Sequence, residues 1–132
     1  MQAAKVFTDY STAYSTFAKQ QVHYILGDTG RSFVVGYGRN PPQRPYHRGS
    51  SCPDVPAPCT EHDREGHRAN PQVLFGALVS GPDRLDRYED SRNSGMNDVA
   101  LDYTAAIMTA VAGLKADTQS SRGFRVLGRW GG

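Results

Sequence analysis

Arg31–Ser51, RSFVVGYGRNPPQRPYHRGSS, is the stretch from which the rest of the chain is best understood. The β-branched and aromatic run Ser32-Phe33-Val34-Val35 leads into it and ends at Gly36 and Gly38. Beyond the glycines, Pro41, Pro42 and Pro45 fix φ and remove backbone donors, so neither a helix interior nor a central strand can be built there. Glycine permits the tight turns that such a path needs. A loop of this length without regular structure is usually functional or disordered. The prolines and the flanking apolar run favour an ordered, functional loop. It presents Arg39, Arg44, Tyr46, His47 and Arg48 on one short segment, a surface suited to a polar, hydroxyl-rich ligand.

Upstream, apolar residues recur at helical spacing from Tyr10 to Leu26: Tyr14, Phe17, Ala18, Val22, Ile25 and Leu26. Gly27 is the stop signal. Lys19, Gln20, Gln21 and His23 fall largely on the other face, which makes His23 a solvated or core-edge histidine. Such a helix is marginal alone and must bury its stripe against a partner. Downstream, residues 60–69 are charged and aperiodic, as solvated surface is. Asn70-Pro71 has the form of a helix start, with Asn as N-cap and Pro at the first helical position. The short apolar element Val73–Val79 follows and ends at Gly81-Pro82.

A polar loop dense in Asp, Arg and Asn leads to Asn97, which reads as a second N-cap. After it Ala100, Tyr103, Ile107, Val111 and Leu114 step by three or four, and Met108 widens the stripe, so residues 98–115 are expected to be helical. The Gly-, Ser- and Arg-rich segment from Ala116 to Gly132 has no period and is expected to be a mobile tail. No internal repeat and no second domain boundary is visible, so residues 1–115 read as one body.

The chain has 132 residues, 38% of them hydrophobic, and its mean hydropathy of −0.57 implies a modest core. Lys and Arg number 15 against 13 Asp and Glu. That near balance argues against a nucleic-acid binder, which concentrates a basic excess on one face. No apolar run approaches the ~18 residues of a membrane span, and the N-terminus lacks the apolar core of a secretory signal. Cys52 and Cys59 enclose PDVPAP, and the residues alone leave a small disulfide and two free thiols both open. A zinc site with His62 and His67 lacks paired ligand spacing. No cofactor is indicated, and the oligomeric state is not legible.

RSFVVGYGRNPPQRPYHRGSSC resembles the first signature of glycoside hydrolase family 9 in its animal endoglucanase form. YILGDTG before it, NPQVLFGALVSGPD, and the YEDSR and NDVALDY segments resemble further parts of the same family, in the same order and at nearly the same spacing. The resemblance covers roughly residues 10 to 115. It implies an all-α fold: part of a six-hairpin (α/α) toroid with a long ordered Pro/Gly-rich loop and few strands. It implies the C-terminal part of a catalytic domain that hydrolyses internal β-1,4-glucosidic bonds of cellulose with inversion. The implied partner is a β-1,4-glucan and the implied location extracellular. The resemblance to secreted enzymes also favours a Cys52–Cys59 disulfide.

Glycosidic cleavage needs a carboxylic acid to protonate the leaving oxygen and a second carboxylate to activate water. By resemblance, Asp98 stands where the family has its acid glutamate, and Asp90 matches the first aspartate of the accompanying acidic cluster, with Arg92 its arginine. Arg48 matches a sugar-binding arginine, Tyr46 stands at the position of the family's histidine, and Tyr103 matches a tyrosine lining the cleft. The departures weaken catalysis. Asp is one methylene shorter than Glu, a retraction of ~1.5 Å, and a misplacement on the order of 1 Å can cost 10²-fold. The segment between Asp90 and Asn97 is one residue shorter than the family pattern, and the region carrying the family's base aspartates is not in this sequence. The expectation is a truncated, catalytically impaired endoglucanase. The alternative is a non-catalytic glucan-binding protein using Arg39, Arg44, Arg48, Tyr37, Tyr46 and Tyr103.

Overall fold

The computed structural model describes residues 10–127. Among them the regular elements are helices: α1 (Ser11–Leu26), α2 (Arg48–Ser51), α3 (Glu61–Glu65) and α4 (Leu101–Leu127). Extended backbone occurs there only as isolated bridges, Val34 with Leu78, Val79 with Val99 and Tyr46 with Asp98. No helix among the described residues is long and apolar enough to cross a membrane.

The chain divides into two compact units, one containing residues 23–105 and the other the flanking segments up to Val22 and from Ala106. In the flanking unit Val22 and Ile107 are buried, whereas Phe17 and Met108 are 62% and 66% exposed. Two of the six residues in each expected apolar stripe, Tyr14 and Phe17 in α1 and Met108 and Val111 in α4, are therefore exposed.

The helix α1 ends as its sequence dictates. Gly27 sits at φ 110, Asp28 N–H donates to His23 O at 3.1 Å and Gly27 N–H to Tyr24 O at 3.2 Å. These are the paired bonds of a Schellman cap, which a left-handed glycine makes possible. The chain then reverses into a small layered core of Phe33, Val35 and Val79, against which Tyr24, Leu74, Ala77, Leu78, Tyr88 and Val99 pack. Phe33 lies between Tyr24, tilted at 5.4 Å, and Tyr88, edge-on at 5.3 Å, and the Arg31 guanidinium lies 5.3 Å from the Tyr88 ring. Complete burial of one such aromatic contributes about 2–3 kcal/mol.

Four short stretches are joined in series by backbone bonds beside this core. Val79 N–H donates to Phe33 O at 3.1 Å and Val35 N–H to Ala77 O at 2.9 Å. Ser80 N–H donates to Asp98 O at 2.8 Å, and Tyr46 N–H to Asn97 O at 2.7 Å. The order is 33–35, 77–80, 97–99, 46.

Gly38 lets the loop leave this layer. At φ +77 an added Cβ would lie 2.4 Å from Leu26 O and 2.9 Å from Ser32 Cβ, so the obstacle includes backbone that cannot swing away. Gly38→Ala is expected to destabilise the 23–105 unit by about 1–3 kcal/mol. A urea melt that matches the parent chain would remove that reading.

Three expectations need correction. Asn70-Pro71 starts no helix, because the Asn70 side chain is spent on long-range bonds described below. Residues 98–100 precede α4, because Asp98 and Val99 pair with Tyr46 and Val79 in extended conformation. Ala100 is the effective cap, its carbonyl accepting from Thr104 N–H at 3.2 Å. The helix also runs past 115 to Leu127, since Ala116–Leu127 contains no proline and a single glycine to stop it. Residues 128–132 of the expected tail lie outside the described residues.

Candidate active site

Asp98, at the expected acid position, is placed by backbone on both sides. The carbonyl before it accepts from Tyr46 N–H, and its own carbonyl accepts from Ser80 N–H. The structure thus brings Asp98 and Tyr46 together as a parallel bridge although fifty-one residues of chain lie between them. The Asp98 carboxylate is part-exposed and has no hydrogen bond or ion pair among the described residues.

The loop that delivers Asp98 is folded around Asn97, which is 0% exposed. Its amide oxygen accepts from Asn93 N–H at 3.0 Å and Ser91 N–H at 3.3 Å. Its amide nitrogen donates to Tyr88 Oη at 2.7 Å and Glu89 O at 3.1 Å. Asn97, expected as a helix cap, is instead the hub of the loop. Burial pushes the Tyr88 phenol up to about 12; the Asn97 bond opposes that shift and the Asp90 charge adds to it. Tyr88 is therefore a neutral phenol across the physiological range.

Asp90 faces the other way. Its two oxygens accept from Gln43 N–H at 2.8 Å and Arg44 N–H at 3.0 Å, so its carboxylate closes the Pro-rich loop. Pro41 and Pro42 bring no N–H of their own, which leaves these two amides as the first available donors after them. Asp102, one turn further into the sequence, is exposed on the first turn of α4, where a carboxylate complements the helix dipole.

Arg92 binds the two loops into one frame. It is 8% exposed and sits at φ 56, a left-handed backbone unusual for a long side chain. Its guanidinium donates to the carbonyls of Asp63 and Arg64 at 3.1 Å each, Gly66 at 2.5 Å and Arg68 at 2.7 Å. It also grips Asn70 Oδ1 at 2.8 and 2.6 Å. Asn70 in turn donates to Pro45 O at 3.0 Å and to Ser50 Oγ, on either side of the Tyr46–Arg48 segment. Burial holds the Arg92 guanidinium below its ordinary range, with the Arg44 charge acting in the same direction.

Arg48 opens α2. His47 caps that helix, its Nδ1 accepting from Ser50 N–H at 3.1 Å. The Arg48 side chain is exposed and pairs with Glu61 at 3.0 Å. Cys52 and Cys59 form a disulfide with their Cα atoms 5.0 Å apart, joining the end of α2 to the start of α3. Tyr103 is part-buried near the start of α4 and has no hydrogen bond to Tyr46, Arg48 or Asp98. Arg39 and Tyr37 are exposed, and Arg44 donates to His67 O at 3.2 Å.

Two hollows adjoin this frame. One of about 400 Å³ is lined by His62, Asp63, His67, Arg68 and Arg92, the other of about 330 Å³ by Val35, Pro41, Pro42, Pro45 and Leu74 among others. Tyr46, Arg48 and Asp98 line neither of these two hollows. No three His, Cys, Asp or Glu side chains gather as a metal site among the described residues.

The sequence profile of glycosyl hydrolase family 9 matches residues 1–111. The chain belongs to this family. Among relatives of the family 9 chain, it is 41% identical over 120 residues to Endoglucanase 12 of Oryza sativa subsp. japonica, covering 84% of this chain and 18% of that protein. Endoglucanase 4 of Bacillus sp. (strain KSM-522) is 44% identical over 99 residues, 70% of this chain and 14% of that one. The family 9 chain therefore spans under a fifth of the length of these relatives. An endoglucanase structure from the termite Nasutitermes takasagoensis superposes with a TM-score of 0.80 at 48% identity, covering 85% of this chain and 26% of the termite chain. Endoglucanase CelQ from Clostridium thermocellum, solved with cellotriose, superposes at 0.68 with 40% identity over 82% of this chain and 18% of its own.

Of the expected site residues, the structure brings Asp98 and Tyr46 together; the sequence reading takes Asn70 and Asn97 for helix caps and does not single out Glu61. For Glu61 a local signal existed. Thr60-x-x-Asp63 has the spacing of a capping box, and the Asp63 carboxylate accepts from Thr60 N–H at 2.8 Å and Thr60 Oγ1 at 2.7 Å. These bonds hold Asp63 below the usual carboxylate range. For the two asparagines no local signal distinguishes a cap from a buried hub.

Proposed function

We propose that this chain forms the acid side of an endo-β-1,4-glucanase active site on part of a six-hairpin (α/α) toroid, and that it binds a β-1,4-glucan but cleaves it poorly or not at all. The observation that carries the reading is the pairing of Tyr46 with Asp98, which sets a free, part-exposed carboxyl beside the arginine-bearing loop. Binding of a cellulose-like chain is supported by the family and by a relative solved with cellotriose. The uncovered Phe17 and Met108 support helices that belong to a larger helical body. An extracellular setting is supported by the disulfide, since such bonds persist in oxidising compartments.

In an inverting hydrolase a base carboxylate stands roughly 6.5–9.5 Å from the acid, across the sugar, to hold the attacking water. Asp98 would supply the proton and Arg48 and Tyr46 would orient the sugar. Asp90 is engaged by two backbone amides of the same loop, which favours a role in holding that loop over one as a base. That engagement also favours the second reading, a surface that holds glucan without cutting it.

The test is a reducing-sugar assay on carboxymethyl cellulose with the 132-residue chain. No hydrolysis is expected. The double substitution Asp98→Glu and Tyr46→His mends the acid side without supplying an opposing base, so it too should stay inactive. Hydrolysis by the parent chain that vanishes in Asp98→Ala would overturn the account.

A further inference from the structure

Arg48 has a partner that the glucan-binding role does not call for. Glu61 lies thirteen residues on, at the first position of α3. One carboxylate oxygen meets Arg48 Nη2 at 3.0 Å and the other meets Arg64 Nε at 2.7 Å. Arg64 in turn reaches Glu65 at 3.3 Å. Two arginines and two glutamates thus form one chain of alternating charge whose sum is zero.

The backbone that carries the two exposed side chains of the Arg48–Glu61 pair is fixed on both sides. The disulfide ties α2, which carries Arg48, to the residue before Thr60, and the Thr60–Asp63 bonds fix the first turn of α3, where Glu61 sits. Both Glu61 oxygens are occupied, so its carboxylate is restrained from two sides. On Arg48 only Nη2 is engaged among the described residues, leaving the Nε and Nη1 donors for a ligand.

We propose that Glu61 is a specificity-determining residue: it holds Arg48 as a hydrogen-bond donor for neutral sugar chains while cancelling the charge that would draw in anionic ones. This rests on the glucan-binding role of Arg48 given above. The physical distinction is between direction and field. A hydroxyl needs a donor at a set angle and distance. A polyanion responds to uncompensated charge over a Debye length of about 8 Å at physiological salt. A carboxylate at 3.0 Å leaves the first almost intact and removes most of the second.

The experiment is calorimetric titration of the 132-residue chain with cellotetraose and with a carboxymethylated cello-oligosaccharide of similar length, at low and at high salt. Glu61→Gln should raise affinity for the carboxymethylated ligand roughly twofold to fivefold at low salt, the range that exposed, screened pairs allow. The same variant should leave cellotetraose affinity unchanged or lower it, and the anionic gain should fade at high salt. Glu61→Asp should restore most of the discrimination. If Glu61→Gln moves both ligands equally, or the gain persists at high salt, Glu61 is merely structural and the proposal is wrong. If the parent chain binds neither ligand, or Arg48→Ala leaves cellotetraose binding intact, the glucan-binding reading itself fails and takes this inference with it.

Discussion

Arg92→Ala should lower the stability of the 23–105 unit by about 3 kcal/mol or more, the largest single loss expected in this chain. Its guanidinium is the common donor to four backbone carbonyls and to Asn70 Oδ1. Truncation leaves those acceptors in a space that water must enter to satisfy them, and frees Asn70 from the contact that aims it at Pro45 and Ser50. In a unit of this size that corresponds to a fall in melting temperature of roughly 12–24 °C. Arg92→Lys keeps the charge but presents one ammonium with three donors in place of a five-donor fork, so it should recover less than half of the loss. Thermal melts followed by circular dichroism measure both variants. A shift of less than ~1 kcal/mol in Arg92→Ala would show that the carbonyl cage holds itself together.

The second large effect is expected at Asn97. Asn97→Ala removes two donated and two accepted bonds from a site with no solvent access, at a cost of about 3 kcal/mol. The local consequence separates it from a general weakening. Ser91 and Asn93 amides lose their acceptor, so their hydrogen exchange should accelerate well before that of Val35, whose bond to Ala77 O lies in the neighbouring layer. Exchange that rises uniformly across the unit would mean that Asn97 acts on global stability alone and does not shape the loop that carries Asp98.

What was legible beforehand follows the range of the interaction. Gly27 was recognisable as a stop because a helix cap is written within six residues, and the Schellman bonds form where the glycine predicts. Asn70 and Asn97 look like caps to any local rule, since the same short amide that caps a helix can bond a distant backbone. For Asn70 the outcome depends on Pro45 and Arg92, more than twenty residues away, whereas Asn97 bonds the Ser91 and Asn93 amides of its own loop together with Tyr88 and Glu89, a closure that no cap rule describes. Residues 98–100 kept the helical stripe in their sequence, yet tertiary pairing with Tyr46 and Val79 overrode it. The motif resemblance singled out Asp98, Tyr46 and Arg48 as candidates but carried no information on Glu61, whose contact is made across the disulfide loop.

The pairing of 97–99 from both sides also bears on how chain length can drift in this region. Tyr46 fixes the segment from one flank and Val79 and Ser80 from the other, so its register is set by its neighbours rather than by the residues leading into it. Ser94 and Gly95 are exposed at the tip of that approach. A residue gained or lost there changes the size of the tip and need not slide Asp98 along its track, so a shorter approach is compatible with an intact bridge. The same deletion placed between Asn97 and Val99 would remove Asp98 itself. Gaps in this family should therefore collect at the tip and be purged two residues later.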